Sequence, residues 1–226
     1  MQEGEKLEAV IFDMDGLMFE TERVFALAWD YAGEKAGIGK AGYMITKTLG
    51  MSISAARPLF IEEFGDSYDE ALLKSCCKEF IKDYYVSNSV PVKKGLHSLL
   101  QYLSSIKCKT AVSSSSPMWE VEKHLKDAGI YDGFQAIVSG DDVTNTKPDP
   151  EIYTAACITL GVKPCSCIAL EDSKNGIYSA YNAGCRPIMV PDLWQPDSAV
   201  LQILWNKFSD LSEIENYLRK HPDILS

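Results

Sequence analysis

The chain has 226 residues, 46% hydrophobic and 24% charged, which is the balance of a soluble globular protein and excludes a disordered or fibrous one. With Asp+Glu at 32 and Lys+Arg at 22 the formal charge is −10, so the mean field of the protein repels nucleic acid and anionic membrane surfaces. No apolar run reaches the length of a membrane span, and the polar, acidic start is unlike a secretory signal, so a cytoplasmic location is expected. In that setting the seven cysteines, odd in number and scattered, read as reduced thiols. Cys76-Cys77 and Cys165-Ser-Cys167 lie far in sequence from His97, His124 and His221, and no second Cys pair stands at zinc-ligand spacing.

Ala9-Val-Ile-Phe12 is an unbroken apolar run of strand length, and its lack of alternation marks a strand buried on both faces. Roughly a hundred residues pass before the next such run, Thr110-Ala-Val112, too many for a single βα crossover. Within that interval Thr21–Lys35 and residues 54–64 and 68–85 place apolar side chains three to four apart, so a small helical bundle acting as a lid is expected as an insertion. The chain would leave near Met18-Phe-Glu20 and return through Ser87-Asn-Ser-Val-Pro-Val92, polar and proline-bearing as a linker is. Gly37-Ile-Gly-Lys-Ala-Gly42 has the spacing of a dinucleotide fingerprint but follows a helical pattern rather than a strand. Ala41 after Lys40 also breaks the phosphate-loop pattern, so a glycine-rich helix exit is expected there.

Ala136-Ile-Val138, Cys167-Ile-Ala-Leu170 and Pro187-Ile-Met-Val190 continue the strand series, with helical patterns over residues 119–128, 150–160, 173–182 and 198–208. This alternation predicts an α/β fold, a doubly wound parallel sheet of Rossmann-like kind, with a small inserted α-helical cap domain. Residues 1–18 and 91–226 would form the core and residues 19–90 the cap.

The chemistry concentrates where strands should end. In Phe12-Asp-Met-Asp-Gly-Leu17, residues two apart in extended chain project to one side, so Asp13 and Asp15 can face a single site, and Gly16 lets the backbone turn after them. Carboxylates so close repel, and a divalent cation or a shared proton relieves the repulsion. Ser113–Ser116 follows the second strand, Lys147 the third, and Glu171-Asp172 the fourth. An open parallel sheet binds ligands outside the carboxyl ends of its strands, so these groups should converge. Hard carboxylate oxygens suit Mg²⁺, while a lysine and hydroxyls suit phosphate oxygens, which together describe a phosphoryl site. There Asp13 can attack phosphorus to give an aspartyl-phosphate, and Asp15 can move the proton. Any of the four serines could be the phosphate donor, or the run could cap the helix after Pro117.

Asp13-Met-Asp-Gly16, Ser114 after a strand, Lys147-Pro-Asp-Pro-Glu-Ile-Tyr153 and Glu171-Asp-Ser-Lys-Asn-Gly176 together resemble the four motifs of the haloacid dehalogenase superfamily. The resemblance spans roughly residues 8–195 and is nearest the β-phosphoglucomutase-like branch, which has a helical cap after the first motif. It implies an Mg²⁺-dependent phosphatase acting on a small phosphorylated metabolite, a sugar phosphate foremost, and acting here as a monomer. It further implies Asp13 as nucleophile and Asp15 as acid/base, with Ser114 and Lys147 on the phosphate and Ser115 as a further candidate. Mg²⁺ would be held by the Asp13 side chain, the Asp15 carbonyl and Asp172, with Glu171 supporting.

Departures from the pattern bear on the reaction. Glu20 stands where relatives usually carry an aspartate. Sugar-phosphate mutases of the group resemble one another in a cap histidine, a cap arginine and a basic residue after the serine motif, and here those places hold Phe25, Ile53 (after Gly50-Met-Ser52) and Pro117. A mutase must grip a second phosphate, so hydrolysis is expected over isomerisation, and the paired Asp13 and Asp15 argue against a non-catalytic metabolite binder. Trp29, Tyr43 and Phe60 read first as core of the insertion and second as pocket lining.

Overall fold

The computed structural model describes residues 6–48 and 53–224. The chain divides into two compact units, Met1–Phe19 with Val92–Ser226, and Glu20–Pro91, so both crossings fall one residue later than positions 18 and 90. In chain order β1 (Ala9–Phe12) is followed by the helices of the insertion, α1 (Thr21–Lys35), α2 (Ile45–Thr48), α3 (Ile53–Phe64) and α4 (Glu70–Ser87). The core resumes with α5 (Leu96–Ser105), β2 (Lys109–Ser113), α6 (Met118–Asp127), β3 (Ala136–Val138), α7 (Glu151–Leu160) and β4 (Cys167–Glu171). It closes with α8 (Lys174–Asn182), β5 (Arg186–Met189), α9 (Ser198–Ile203), β6 (Asn206–Lys207) and α10 (Leu211–Lys220).

In the larger unit the strands form one parallel sheet in the order β3-β2-β1-β4-β5-β6. Every residue of β1 and β4 is buried, which is why their sequences run apolar without alternation. The larger apolar side chains among them, Val10, Ile11, Phe12, Ile168 and Leu170, each contribute about 1.5–3 kcal/mol from burial. Under one face of the sheet, Ala9, Ile11, Ala111 and Ala169 meet Ile152, Tyr153, Ala156 and Leu160 of α7. Small residues on the strands let the helix seat closely. Phe12 is level with Val112 on one side and Leu170 on the other, so the next residues along, Asp13, Ser113 and Glu171, reach one edge together. That edge is the carboxyl end of the central strands, where the order of connection reverses.

The strands over 9–12, 110–112, 136–138, 167–170 and 187–190 lie within a residue or so of those predicted. The helical pattern over 198–208 does not hold throughout. Asp197 caps a short α9 through Ala199 and Val200, and the chain then turns extended, with Trp205 N–H donating to Pro187 O at 2.8 Å and Phe208 N–H to Met189 O at 2.9 Å. The open edge of β5 thus captures Asn206 and Lys207 as β6, a tertiary demand that outweighs local period. The pattern over 68–85 starts two residues later, because Asp69 caps α4 by accepting from Leu72 N–H at 3.0 Å. Helices α5 and α10, for which no expectation was stated, pack on each other, and each buries an apolar face, Leu96, Leu99 and Leu103 on α5 and Leu211, Ile214 and Leu218 on α10.

The smaller unit has its own core, in which Ala28, Trp29 and Ala32 of α1 meet Phe60 of α3 and Leu73, Cys76 and Cys77 of α4. Trp29 and Phe60 stack at 4.2 Å between ring centres and an interplanar angle of 25°. Both are core residues, whereas Tyr43 is exposed and donates its hydroxyl to Glu63 at 2.7 Å. Gly37 and Gly39, both at positive φ, turn the chain out of α1, so the dinucleotide-like spacing is a helix exit. Residues 50–52, in the segment compared with the mutase cap arginine, lie outside the described residues. All seven cysteines are free, and among the described residues no helix is long and apolar enough to cross a membrane. Replacing Phe60 by Ala should remove the Trp29 stack and open a cavity, lowering stability by about 3–5 kcal/mol in denaturant unfolding followed by tryptophan fluorescence; a loss under about 1 kcal/mol would contradict this packing.

Candidate active site

Asp13 leaves β1 with its N–H still on Leu170 O of β4 at 3.0 Å, so the sheet itself fixes the backbone that presents its carboxylate. The chain then folds back at once, with Gly16 N–H on Phe19 O at 3.0 Å and Met18 N–H on Met14 O at 2.9 Å. Gly16 sits at φ +79, and a Cβ there would stand 2.2 Å from Asp172 Oδ2. Only glycine both allows that turn and leaves room for the Asp172 carboxylate.

Lys147 reaches the same point from the loop after β3, its side chain only 7% exposed. Its ammonium donates to Asp13 Oδ1, to Glu171 Oε1 at 2.7 Å and to Ser113 O at 3.0 Å. An ammonium has three protons, and all three are engaged. Glu171 Oε1 also accepts from the Tyr153 hydroxyl at 2.6 Å, while Oε2 accepts from Ser173 Oγ at 3.2 Å. The Glu171 carboxylate lies against the first turn of α8, where a Cβ on Gly176 would come within 1.9 Å of it. One carboxylate oxygen each from Asp13, Glu171 and Asp172 lies within 4.8 Å of the others, and all three residues are buried. This trio of hard oxygens could hold a divalent metal ion.

The carboxylate of Asp15 points to another partner set. Its Oδ2 accepts from Ser116 Oγ at 2.8 Å and from Ser114 Oγ at 3.2 Å, and Ser114 Oγ in turn accepts from Ser116 N–H at 3.0 Å. Asp15 Oδ1 is buried and has no hydrogen-bond partner among the described residues. Two neighbouring acids are thereby separated, Asp13 in the lysine and carboxylate cluster and Asp15 in a hydroxyl cradle with one oxygen left open.

The charges do not balance. Asp13 and Glu171 share the Lys147 ammonium, the Asp172 carboxylate lies within 4.8 Å of both, and the cluster is almost wholly buried. Burial pushes the Asp13 carboxyl well above the usual carboxylate range, Lys147 opposes this, and Glu171 and Asp15 push it further up. Burial alone would lower Lys147, but the Asp13 and Glu171 carboxylates outweigh it and hold the ammonium above its ordinary value. Burial is thus the larger cause of the Asp13 shift, and the neighbouring carboxylates are the cause of the Lys147 shift.

Asp13, Lys147, Glu171 and Asp172 are therefore brought together, and Asp15 and Ser114 stand beside them. Ser114 is fully buried, whereas Ser115 is exposed. Within the serine run, Ser116 makes the shorter bond to Asp15, and the sequence offered no means of choosing it. The contact of Tyr153 with Glu171 was also unread, though the spacing of Tyr153 and Lys147 within one segment was visible. On α6, Glu120 and His124 are buried with Glu120 Oε1 3.7 Å from His124 Nε2, and the His124 ring packs 5.4 Å from that of Phe19. Their placement one turn apart, beside Val121 and Leu125, could have marked them as facing inward.

The model of the haloacid dehalogenase-like hydrolase family matches residues 10–190. YhcW of Bacillus subtilis is 33% identical over 193 residues, covering 82% of this chain and 84% of its own. A phosphorylated carbohydrates phosphatase of Thermotoga maritima is 32% identical over 184 residues, covering 80% and 84%. Among solved structures, β-phosphoglucomutase from Clostridium difficile superposes with a TM-score of 0.76 at 26% identity, covering 95% of this chain and 96% of its own.

The tight seat of Glu171 on α8 makes a specific prediction. Gly176→Ala should destabilise the protein by about 1–3 kcal/mol in denaturant unfolding, although Ala is the better helix former, because the added methyl must displace a buried carboxylate. A stabilised variant would contradict the geometry.

Proposed function

The chain belongs to the haloacid dehalogenase-like hydrolases, and from that premise we propose that it is an Mg²⁺-dependent phosphatase of small phosphate monoesters, working through an aspartyl-phosphate on Asp13. The observation that carries this reading is the buried cluster of three carboxylates around one ammonium. Such a cluster suits a divalent cation, whose two charges offset the excess, and the donors are all hard oxygens, as Mg²⁺ prefers. The Asp13 side chain, the Asp15 backbone carbonyl and Asp172 would hold the ion, with Glu171 supporting it. When bound it would screen the negative charge of phosphate and nucleophile.

The steps fall to the chain's own residues. Lys147 grips Asp13 Oδ1 and orients the carboxylate, leaving its other oxygen to attack phosphorus. As the bond between phosphorus and the ester oxygen breaks, Asp15 acts as the general acid that delivers a proton to that oxygen, its unpartnered Oδ1 being the atom left open for it. A water molecule then attacks phosphorus, Asp15 takes back a proton, and the Asp13 carboxylate is released. Ser114 would serve the phosphate by turning its hydroxyl from Asp15, which Ser116 would still hold, with Ser115 in the same loop as a further donor. Sugar phosphates are the proposed substrates, supported by the Thermotoga maritima relative, whose name assigns it phosphorylated carbohydrates.

A second reading, isomerisation, is favoured by the structural likeness to a β-phosphoglucomutase. Against it stand Phe25, packed on the apolar core of the insertion, and Pro117, where cations would be needed for a second phosphate. Supplied with β-glucose 1-phosphate and a trace of the bisphosphate, the protein should release free phosphate faster than it forms isomer. The reverse order would favour the mutase.

The test of the main reading is release of p-nitrophenol from its phosphate ester. Turnover should require Mg²⁺, stop with EDTA, and fall by roughly 10³-fold or more in Asp13→Asn. Borohydride trapping during turnover should convert residue 13 to homoserine. Release that persists in EDTA or in Asp13→Asn would overturn the assignment.

A further inference from the structure

Tyr153 is fully buried at the inner end of the cluster, and no step above uses it. Its hydroxyl donates to Glu171 Oε1 at 2.6 Å, the same oxygen that Lys147 reaches at 2.7 Å, and the Lys147 ammonium stands 5.1 Å from the centre of the Tyr153 ring. One side chain thus touches both members of the ion pair, the lysine by its ring face and the carboxylate by its hydroxyl. Ser173 occupies the other Glu171 oxygen, so Glu171 is held on both sides.

This arrangement constrains what Lys147 can do. Its three protons are spent on Asp13, Glu171 and Ser113, so one of them must be released before it can serve a phosphate oxygen. Without the Tyr153 proton, Glu171 Oε1 would keep Lys147 as its sole partner and would draw the ammonium more strongly to itself. With that proton, part of the Glu171 charge is already answered, and the carboxylate cannot rotate toward Asp13 and Asp172. Resting on the phosphatase reading, we propose that Tyr153 is a positioning residue: it fixes Glu171 as the anchor of Lys147 and so keeps the ammonium available to the substrate phosphate.

Tyr153→Phe keeps the ring and removes only the hydroxyl. KM for p-nitrophenyl phosphate should rise about tenfold, the dissociation constant of inorganic phosphate by calorimetry should rise in step, and kcat should stay within about threefold, because the lost interaction serves ground and transition states alike. Ser173→Ala should act in the same direction by leaving the other Glu171 oxygen only the Ser173 backbone N–H at 3.4 Å, and thermal unfolding would establish that both variants fold. In a Lys147→Met background Tyr153→Phe should change kcat/KM by less than about twofold, since its effect runs through the lysine. Unchanged KM and phosphate affinity in both variants, or a full additional loss in the Lys147→Met background, would overturn the role of Tyr153 while leaving the phosphatase reading intact. A wild-type protein with neither Mg²⁺-dependent turnover nor phosphate binding would overturn both.

Discussion

Lys147 and the three carboxylates around it set the terms for the larger unit, because a buried ion cluster with more negative than positive charge is stable only if its remaining lone pairs and protons are answered. The fold meets part of that demand. Asp13 and Glu171 sit on adjacent parallel strands at matching heights, Ser113 supplies a carbonyl from the strand on the other side, and Tyr153 rises from the helix beneath. The residual negative charge is the part that a divalent cation would offset on the proposed reading.

The same demand explains two glycines that composition alone would pass over. Gly16 and Gly176 each lie where a carboxylate of the cluster packs against bare backbone, one under Asp172 and the other under Glu171. Any side chain there would compete for the space of a charged group that has nowhere else to go. Positioning of the site is therefore written into close backbone approach as much as into the acidic residues themselves.

Much of this was legible in the sequence, for reasons that can be named. Buried parallel strands such as Ala9–Phe12 and Ala136–Val138 are marked by unbroken apolar runs, and acidic or basic groups just beyond them fall at one sheet edge by topology. What stayed hidden depended on distant partners. Asn206 and Lys207 become a strand only because β5 offers an open edge, and Ser116 and Ser114 are told apart only by where Asp15 lies. Helix α5 carried its apolar period in Leu96, Leu99, Leu100 and Leu103 and could have been read. The division of labour between Asp13 and Asp15, one with a lysine and one with hydroxyls, follows from three-dimensional neighbours that two-residue spacing cannot specify.

The central claim is that this buried cluster lacks positive charge that a divalent cation supplies, and the most direct measurement is calorimetric titration of the metal-free protein with Mg²⁺ in the absence of substrate. One ion should bind per chain, raising the thermal unfolding temperature as the site fills, and Asp172→Ala should abolish both effects. Wild-type protein that takes up no Mg²⁺ at millimolar concentration, or that binds it undiminished after Asp172→Ala, would contradict the account.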